Sequence, residues 1–256
     1  MKHSFLFDLD ARYIVIFLFF SMLITIRIGY TIGFKKPKKD SDDFGILSSL
    51  LGLLALLLAF TFGMAGSRYE NRRTNVINEA NSIGTAILRS DIYPDSLKKV
   101  YKADFQTYLN ARIDYFDSNR DDDKINSSLK KSEEYSKKLW NRASFYAKNK
   151  DYFIQSNMML PALNDMFDAA SSTNTVYNSA VPESIVYLLL VFSIIISFYI
   201  GYSSGSKKIM DKYFIVGFCL LSCVVILVTL DLDRPRRGLI DLGNEISLLK
   251  ELKSNF

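Results

Sequence analysis

The chain has 256 residues, 49% of them hydrophobic, with a formal net charge of +5 and a single histidine. Its apolar residues gather into long runs, which excludes an ordinary soluble globular domain. The polar stretch 68–182 balances 17 Lys+Arg against 15 Asp+Glu, which excludes a nucleic-acid footprint.

Four runs match the roughly 20 residues needed to cross a bilayer: Tyr13–Phe34, Ile46–Gly66, Ser184–Tyr202 and Tyr213–Leu232. The expected fold is all-α, an integral membrane protein with four transmembrane helices in a 2+2 arrangement and a central helical extramembrane domain. The expected divisions are an arm over 1–12, spans over 13–66, the helical domain over 67–182, spans over 183–233 and a tail over 234–256. The first run is too long for a signal peptide and is followed by "TIGFKKPKK" rather than a small-residue cleavage site, so it reads as a retained helix. In the turn that follows, Asp40–Asp43 offer acceptors for the free N–H groups at the start of the second helix.

The helical pattern that starts at Ile46 does not stop at the membrane boundary. It continues to Ile92, ahead of Pro94, about 47 residues and roughly 70 Å at 1.5 Å per residue. Beyond Gly66 the helix has two faces. Tyr69, Arg73, Val76, Ala80, Ile83 and Ile87 form an amphipathic seam, while Arg68, Asn71, Asn75, Asn78 and Ser82 make a polar line. Either face suits a neighbour or a pore. Further helices are expected over 94–117, 127–149 and 151–180, the last bent or interrupted at Pro161. "DSNRDDDKINSS" reads as a loop, and a short amphipathic tail follows over 241–253.

Enzyme chemistry finds no foothold. The one histidine, His3, lies in the arm, and no phosphate-binding, dinucleotide or nucleophile-elbow motif occurs, so neither a catalyst nor a cofactor is expected. Asp117, Asn119, Asp121 and Asp123 alternate as in a calcium loop. Asp122 replaces the needed glycine and Ser128 the needed glutamate, so no metal is expected there. Cys219 and Cys223, four apart in the last span, read as small packing residues. Apart from Arg27 near the end of the first run, the spans carry no charge until their margins, which argues against proton-coupled transport but not against a passive pore gated by apolar side chains. Leu54, Leu58 and Phe62, at i, i+4 and i+8, are the candidate neck. Gly52, Ala59, Gly63 and Gly66 offer close helix packing.

Seven lysines and no arginine in the two short inter-span loops favour those loops as cytoplasmic, placing the termini and the central domain outside. Arginine clusters at 68–73 and 234–237 pull the other way.

"LLGLLALLLAFTFGMAGSRYENRRTNVINEANSIGTAILRSDIYP" (50–94) with "LDLDRPRRGLI" (230–240) resembles the bestrophin-like domain proteins of bacteria, membrane proteins of unknown function. The motif residues are Arg68, Tyr69, Glu70, Arg73, Glu79, Asn81, Asp233, Arg234, Pro235 and Gly238. A more distant likeness is to the bestrophins proper, pentameric anion channels whose second span lines the pore and whose soluble part is cytoplasmic. The aromatic neck of those channels is reduced here to Phe60 and Phe62, and their acidic calcium clasp is not matched.

The resemblance implies a homo-oligomer, with the pentamer as its template, in a bacterial inner (plasma) membrane. Its partners would be lipids, other copies of itself and small anions, with no nucleic acid. Its function would be a passive anion channel lined by the second helix. Leu54, Leu58 and Phe62 would form the neck. Arg68, Asn71, Arg72, Asn75, Asn78 and Ser82 would form the vestibule. The alternative is a non-conducting scaffold or sensor whose helical domain binds a protein partner.

Overall fold

The structure is a computed structural model and describes residues 9–35, 42–208, 210–236 and 238–256. Expectations for the arm before Leu9, for the turn at 36–41 and for capping by the Asp40–Asp43 side chains fall outside what is described. Among the described residues eight α-helices follow in chain order: α1 (Ala11–Lys35), α2 (Asp42–Ser90), α3 (Asp95–Asp117), α4 (Asp122–Tyr146), α5 (Phe153–Tyr177), α6 (Glu183–Ser206), α7 (Lys212–Leu232) and α8 (Gly243–Glu251). No strand occurs among the described residues. Helices α1, α2, α6 and α7 are long and apolar enough to cross a membrane.

The chain divides into two compact units. One holds the described residues up to Tyr69 together with Ala180–Arg234; the other holds Glu70–Ser179 and Pro235–Phe256. Helix α2 contributes its first part to one unit and its remainder to the other. The tail is therefore part of the second unit rather than a separate appendage.

In the first unit, α1 and α6 meet along glycines. A Cβ added at Gly29 would lie 2.2 Å from the carbonyl oxygen of Phe198, and one at Gly201 would lie 2.0 Å from that of Ile26. Gly33 and Gly205 repeat the arrangement one turn on, against Tyr202 and Tyr30, each at 2.2 Å. Both sets of contacts advance together along the chain, so α1 and α6 run parallel. Apolar side chains provide no hydrophobic drive between helices in lipid, and close backbone approach through small residues is what holds such pairs.

Around this seam Leu18, Met22, Ile26, Leu54, Ile196, Ile200, Cys219, Cys223 and Ile226 form one buried cluster. Both cysteines pack there, and the Sγ of Cys223 lies 3.8 Å from the Val15 carbonyl oxygen. Ser193 and Ser197 are buried and donate to carbonyls four residues back in α6, which satisfies their hydroxyls. Asp233, just beyond α7, accepts the Val181 N–H at 2.8 Å, and Arg234 donates to the Leu9 carbonyl at 2.6 Å. These two motif residues pin the chain ahead of α6 and ahead of α1.

In the second unit α5 runs antiparallel to the outer part of α2. Thr173 donates to the Asn75 carbonyl at 3.2 Å, Arg89 donates to the Met158 carbonyl, and the hydroxyls of Tyr93 and Ser156 meet at 3.0 Å. Pro161 stands inside α5 without ending it, so no interruption occurs there. Helix α4 starts at Asp122, five residues before the expected position. The Asp121 carboxylate caps it by accepting the Lys124 N–H, and Asp122 and Asp123 occupy the first turn where negative charge is favoured. The acidic run is thus spent on a helix start. Helix α3 holds α4 through Asp104, which is buried and pairs with Lys138 at 2.8 Å and with Arg142. The tail packs back with Leu249 buried, Leu252 against Gly84, and Lys250 2.9 Å from Asp117.

Candidate functional site

Helix α2 is unbroken over 49 residues, about 74 Å at 1.5 Å per residue. At 3.6 residues per turn its buried and open positions fall on opposite sides. The buried side runs through Leu54, Thr61 and Ala65 in the first unit, and through Arg72, Val76, Glu79, Ile83 and Ala86 in the second. The open side runs through Gly45, Ser49, Leu53, Leu56, Phe60, Gly63 and Ser67, and on through Asn71, Thr74, Asn78, Asn81 and Thr85. All twelve are exposed, each is three or four residues from the next, and none is charged. Added Cβ atoms at Gly45, Gly52, Gly63 and Gly66 would meet nothing within 4 Å. Only 11% of the most apolar window of α2 is buried, against 33–39% for the other three apolar helices, so this part of α2 is the least covered of the four by its own chain.

The expected neck is corrected by this geometry. Leu54 is 2% exposed and belongs to the buried cluster, with Leu58 half-buried against it. Phe62 is 44% exposed but lies in another sector from Leu53, Leu56 and Phe60. A step of four advances 400°, so the i, i+4, i+8 trio winds from the packed side toward the open one. The side chains that share the open face at this level are Leu53, Leu56 and Phe60.

The vestibule residues divide as well. Asn71 and Asn78 stand on the open face, while Arg68, Asn75 and Ser82 are half-buried at its flank. Arg72 is 1% exposed and turned inward, where Nε and Nη2 donate to the carbonyls of Val176 at 3.3 Å and Ser179 at 2.6 Å. It adds a donor to the Val176 carbonyl, which also takes the Ser179 N–H at 3.3 Å, and to the Ser179 carbonyl just beyond α5. Within this chain Arg72 is therefore turned away from the open face of α2.

The remaining motif residues fall into three groups. Glu79 is fully buried and bound side-on by Arg112, whose Nε and Nη2 reach its two oxygens at 2.5 and 3.0 Å. Arg112 Nη1 completes the set on Asn174 at 3.1 Å. Burial works against the Arg112 charge, yet the Glu79 carboxylate more than offsets it and raises its pKa. The guanidinium also lies 4.7 Å from the Tyr115 ring centroid and 5.6 Å from that of Phe116. Burial raises the pKa of the phenols Tyr108, Tyr115 and Tyr177, keeping them neutral.

Arg73 is an exposed bridge, 3.4 Å from Glu70 and 2.8 Å from Glu245 of α8, while Asn81 is exposed. Gly238 sits at φ 118°, a conformation that favours glycine.

Arg112, Asn174 and Arg236 do not figure among the residues expected from the sequence. The signal was present in outline: Glu79 interrupts the seam between Val76 and Ile83, and Arg112 interrupts the run Tyr101, Phe105, Tyr108, Phe116. Opposite charges on two buried faces mark a pair, but their contact needs the fold.

Neither a curated protein nor a solved structure matches the chain. The family description of the Bestrophin-like domain matches residues 44–245, which takes in α2 through the start of α8, the buried Glu79–Arg112 pair and the Asp233–Arg234 pins, and the chain belongs to this family of membrane proteins.

Proposed function

We propose that the chain assembles with copies of itself into a passive anion channel with α2 around the axis. The single observation behind this reading is the uncharged open face of α2. Its first part is small or apolar and its second part is lined by amides and hydroxyls. Leu53, Leu56 and Phe60 would form a dewetting constriction. Asn71, Thr74, Asn78, Asn81 and Thr85 would supply hydrogen-bond donors to ions leaving it, with Arg68 at the flank raising the local anion concentration. No step calls for a catalyst, a metal or a cofactor.

The exposed apolar side chains of α1, such as Phe17, Phe20 and Ile24, face lipid in this arrangement. The parallel course of α1 and α6 supports a 2+2 crossing. In that crossing the polar stretch between α2 and α6 would form an extramembrane domain on one side. Lysine density in the short loops favours the outer face of a bacterial inner membrane for that side, against the pull of the arginine clusters at 68–73 and 234–237.

Planar-bilayer recording of the purified full chain tests the reading. Anion-selective unitary currents are expected, with Phe60→Ala raising conductance and Phe62→Ala leaving it near the parent value. A folded, ring-forming protein without conductance would overturn it and support the scaffold reading, in which the same face docks a partner.

A further inference from the structure

Arg236 lies on the non-helical stretch between α7 and α8. Its Nη1 donates to the carbonyls of Tyr115 at 2.8 Å and Asn119 at 3.4 Å, at the end of α3. Its Cζ lies 4.6 Å from the Tyr115 ring centroid and 5.4 Å from that of Tyr177. The other two nitrogens, Nε and Nη2, are closed off from solvent and donate to no carbonyl or carboxylate, and the Tyr115 hydroxyl, equally enclosed, lies beside the same guanidinium with no other partner.

Arg112 shows what that edge of a guanidinium does when it is satisfied. Its Nε and Nη2 hold the two oxygens of Glu79, while its Cζ lies against the same Tyr115 ring. The buried carboxylates of this unit, among the described residues, are Glu79 and Asp104. The first is taken by Arg112 and the second by Lys138 and Arg142. Arg236 therefore meets rings and carbonyls but no negative charge. Arg236 is half-buried and its Nη1 is satisfied, but two charged N–H groups closed off from solvent without a carboxylate or carbonyl are disfavoured, and two parallel N–H groups fit an anion presenting two oxygens.

We propose that the Nε/Nη2 edge of Arg236, with the Tyr115 hydroxyl as a third donor, binds a phosphate-type oxyanion that does for Arg236 what Glu79 does for Arg112. The oxyanion is either free phosphate or the phosphate of a lipid headgroup. Arg236 follows the last residue of α7 by four positions, which puts it within chain reach of the end of that apolar helix. Protein seals the edge, so the oxyanion enters as the Arg236 side chain shifts on its loop. The site is independent of conduction, and its test reads stability, so failure here and failure of the channel reading are separable.

The test is thermal unfolding of the delipidated full chain in detergent, followed by fluorescence of Trp140, the single tryptophan, which lies in the second unit. Sodium phosphate is compared with sodium chloride at equal ionic strength. Micelles containing phosphatidic acid are compared with micelles containing phosphatidylcholine. A ligand that binds the folded state raises the midpoint by mass action. The expected result is an upward shift of several degrees in phosphate, or in phosphatidic acid. The first outcome identifies a free oxyanion and the second a headgroup. Arg236→Lys keeps the charge but loses the two-donor edge and is expected to abolish the shift. Tyr115→Phe is expected to reduce it, and serves alone if Arg236→Lys fails to fold. No shift with either probe, or an equal shift in the folded variants, overturns the proposal.

Discussion

Charged side chains inside the second unit have different tasks. Arg72 closes the end of α5, Arg112 holds Glu79 side-on, and Arg236 seats on Tyr115 and Tyr177. Removing one member of a buried pair strands the other, which costs about 3–5 kcal/mol, whereas replacing both by apolar groups of similar volume is often close to neutral. Glu79→Leu is therefore expected to lower unfolding stability by about 3–5 kcal/mol. The double variant Glu79→Leu/Arg112→Leu is expected to recover much of the loss. Equilibrium unfolding of the two proteins checks this, and equal losses would show that the pair is not the source. The distinction between Leu54 and Leu56 belongs to the same scale. Two positions apart on one helix, one is packed in the cluster and the other is open.

At the scale of elements, glycines separate two kinds of helix surface. Gly29, Gly33, Gly201 and Gly205 are already occupied by the partner backbone, while Gly45, Gly52, Gly63 and Gly66 of α2 face open space. The sequence reading put close packing on α2; within this chain it occurs between α1 and α6. An extra methyl at Gly201 would press on the Ile26 carbonyl, and overpacking of this kind costs about 1–3 kcal/mol or more. Gly201→Ala is expected to lower the thermal midpoint of the detergent-solubilised protein sharply, whereas Gly45→Ala leaves the protomer unaffected. If Gly201→Ala is equally harmless, the α1–α6 seam is looser than described. The start of α4 teaches a related lesson. The aspartates around position 121 read as a solvated loop because capping by Asp121 is visible only once the Lys124 N–H is seen to point at it.

For the whole molecule, the parallel pairing of α1 and α6 carries a topological consequence. Under the proposed 2+2 crossing, a cysteine placed ahead of α1 and one in the stretch between α2 and α6 would be reached from the same side. Asp10→Cys and Ser127→Cys are expected to react together with a membrane-impermeant maleimide, and Ser206→Cys only from the other side. The native Cys219 and Cys223 are buried and stay silent. Reaction of Asp10→Cys and Ser127→Cys from opposite sides would exclude the 2+2 crossing.

The four apolar runs, the all-helical content and the run of α2 past Gly66 were legible in the sequence. Each depends on local composition and on a period of 3.6 that holds within a single segment. The family was legible too, because its motif lies in two short segments, 50–94 and 230–240, each read from local sequence. The inward turn of Leu54 and Arg72, the parallel glycine seam, the grip of Arg112 on Glu79 and the bare edge of Arg236 were not. A helical stripe shows that one face differs from another, but which face is covered depends on partners far along the chain. Val176 and Ser179 lie more than a hundred positions from Arg72, and only the folded chain brings them together.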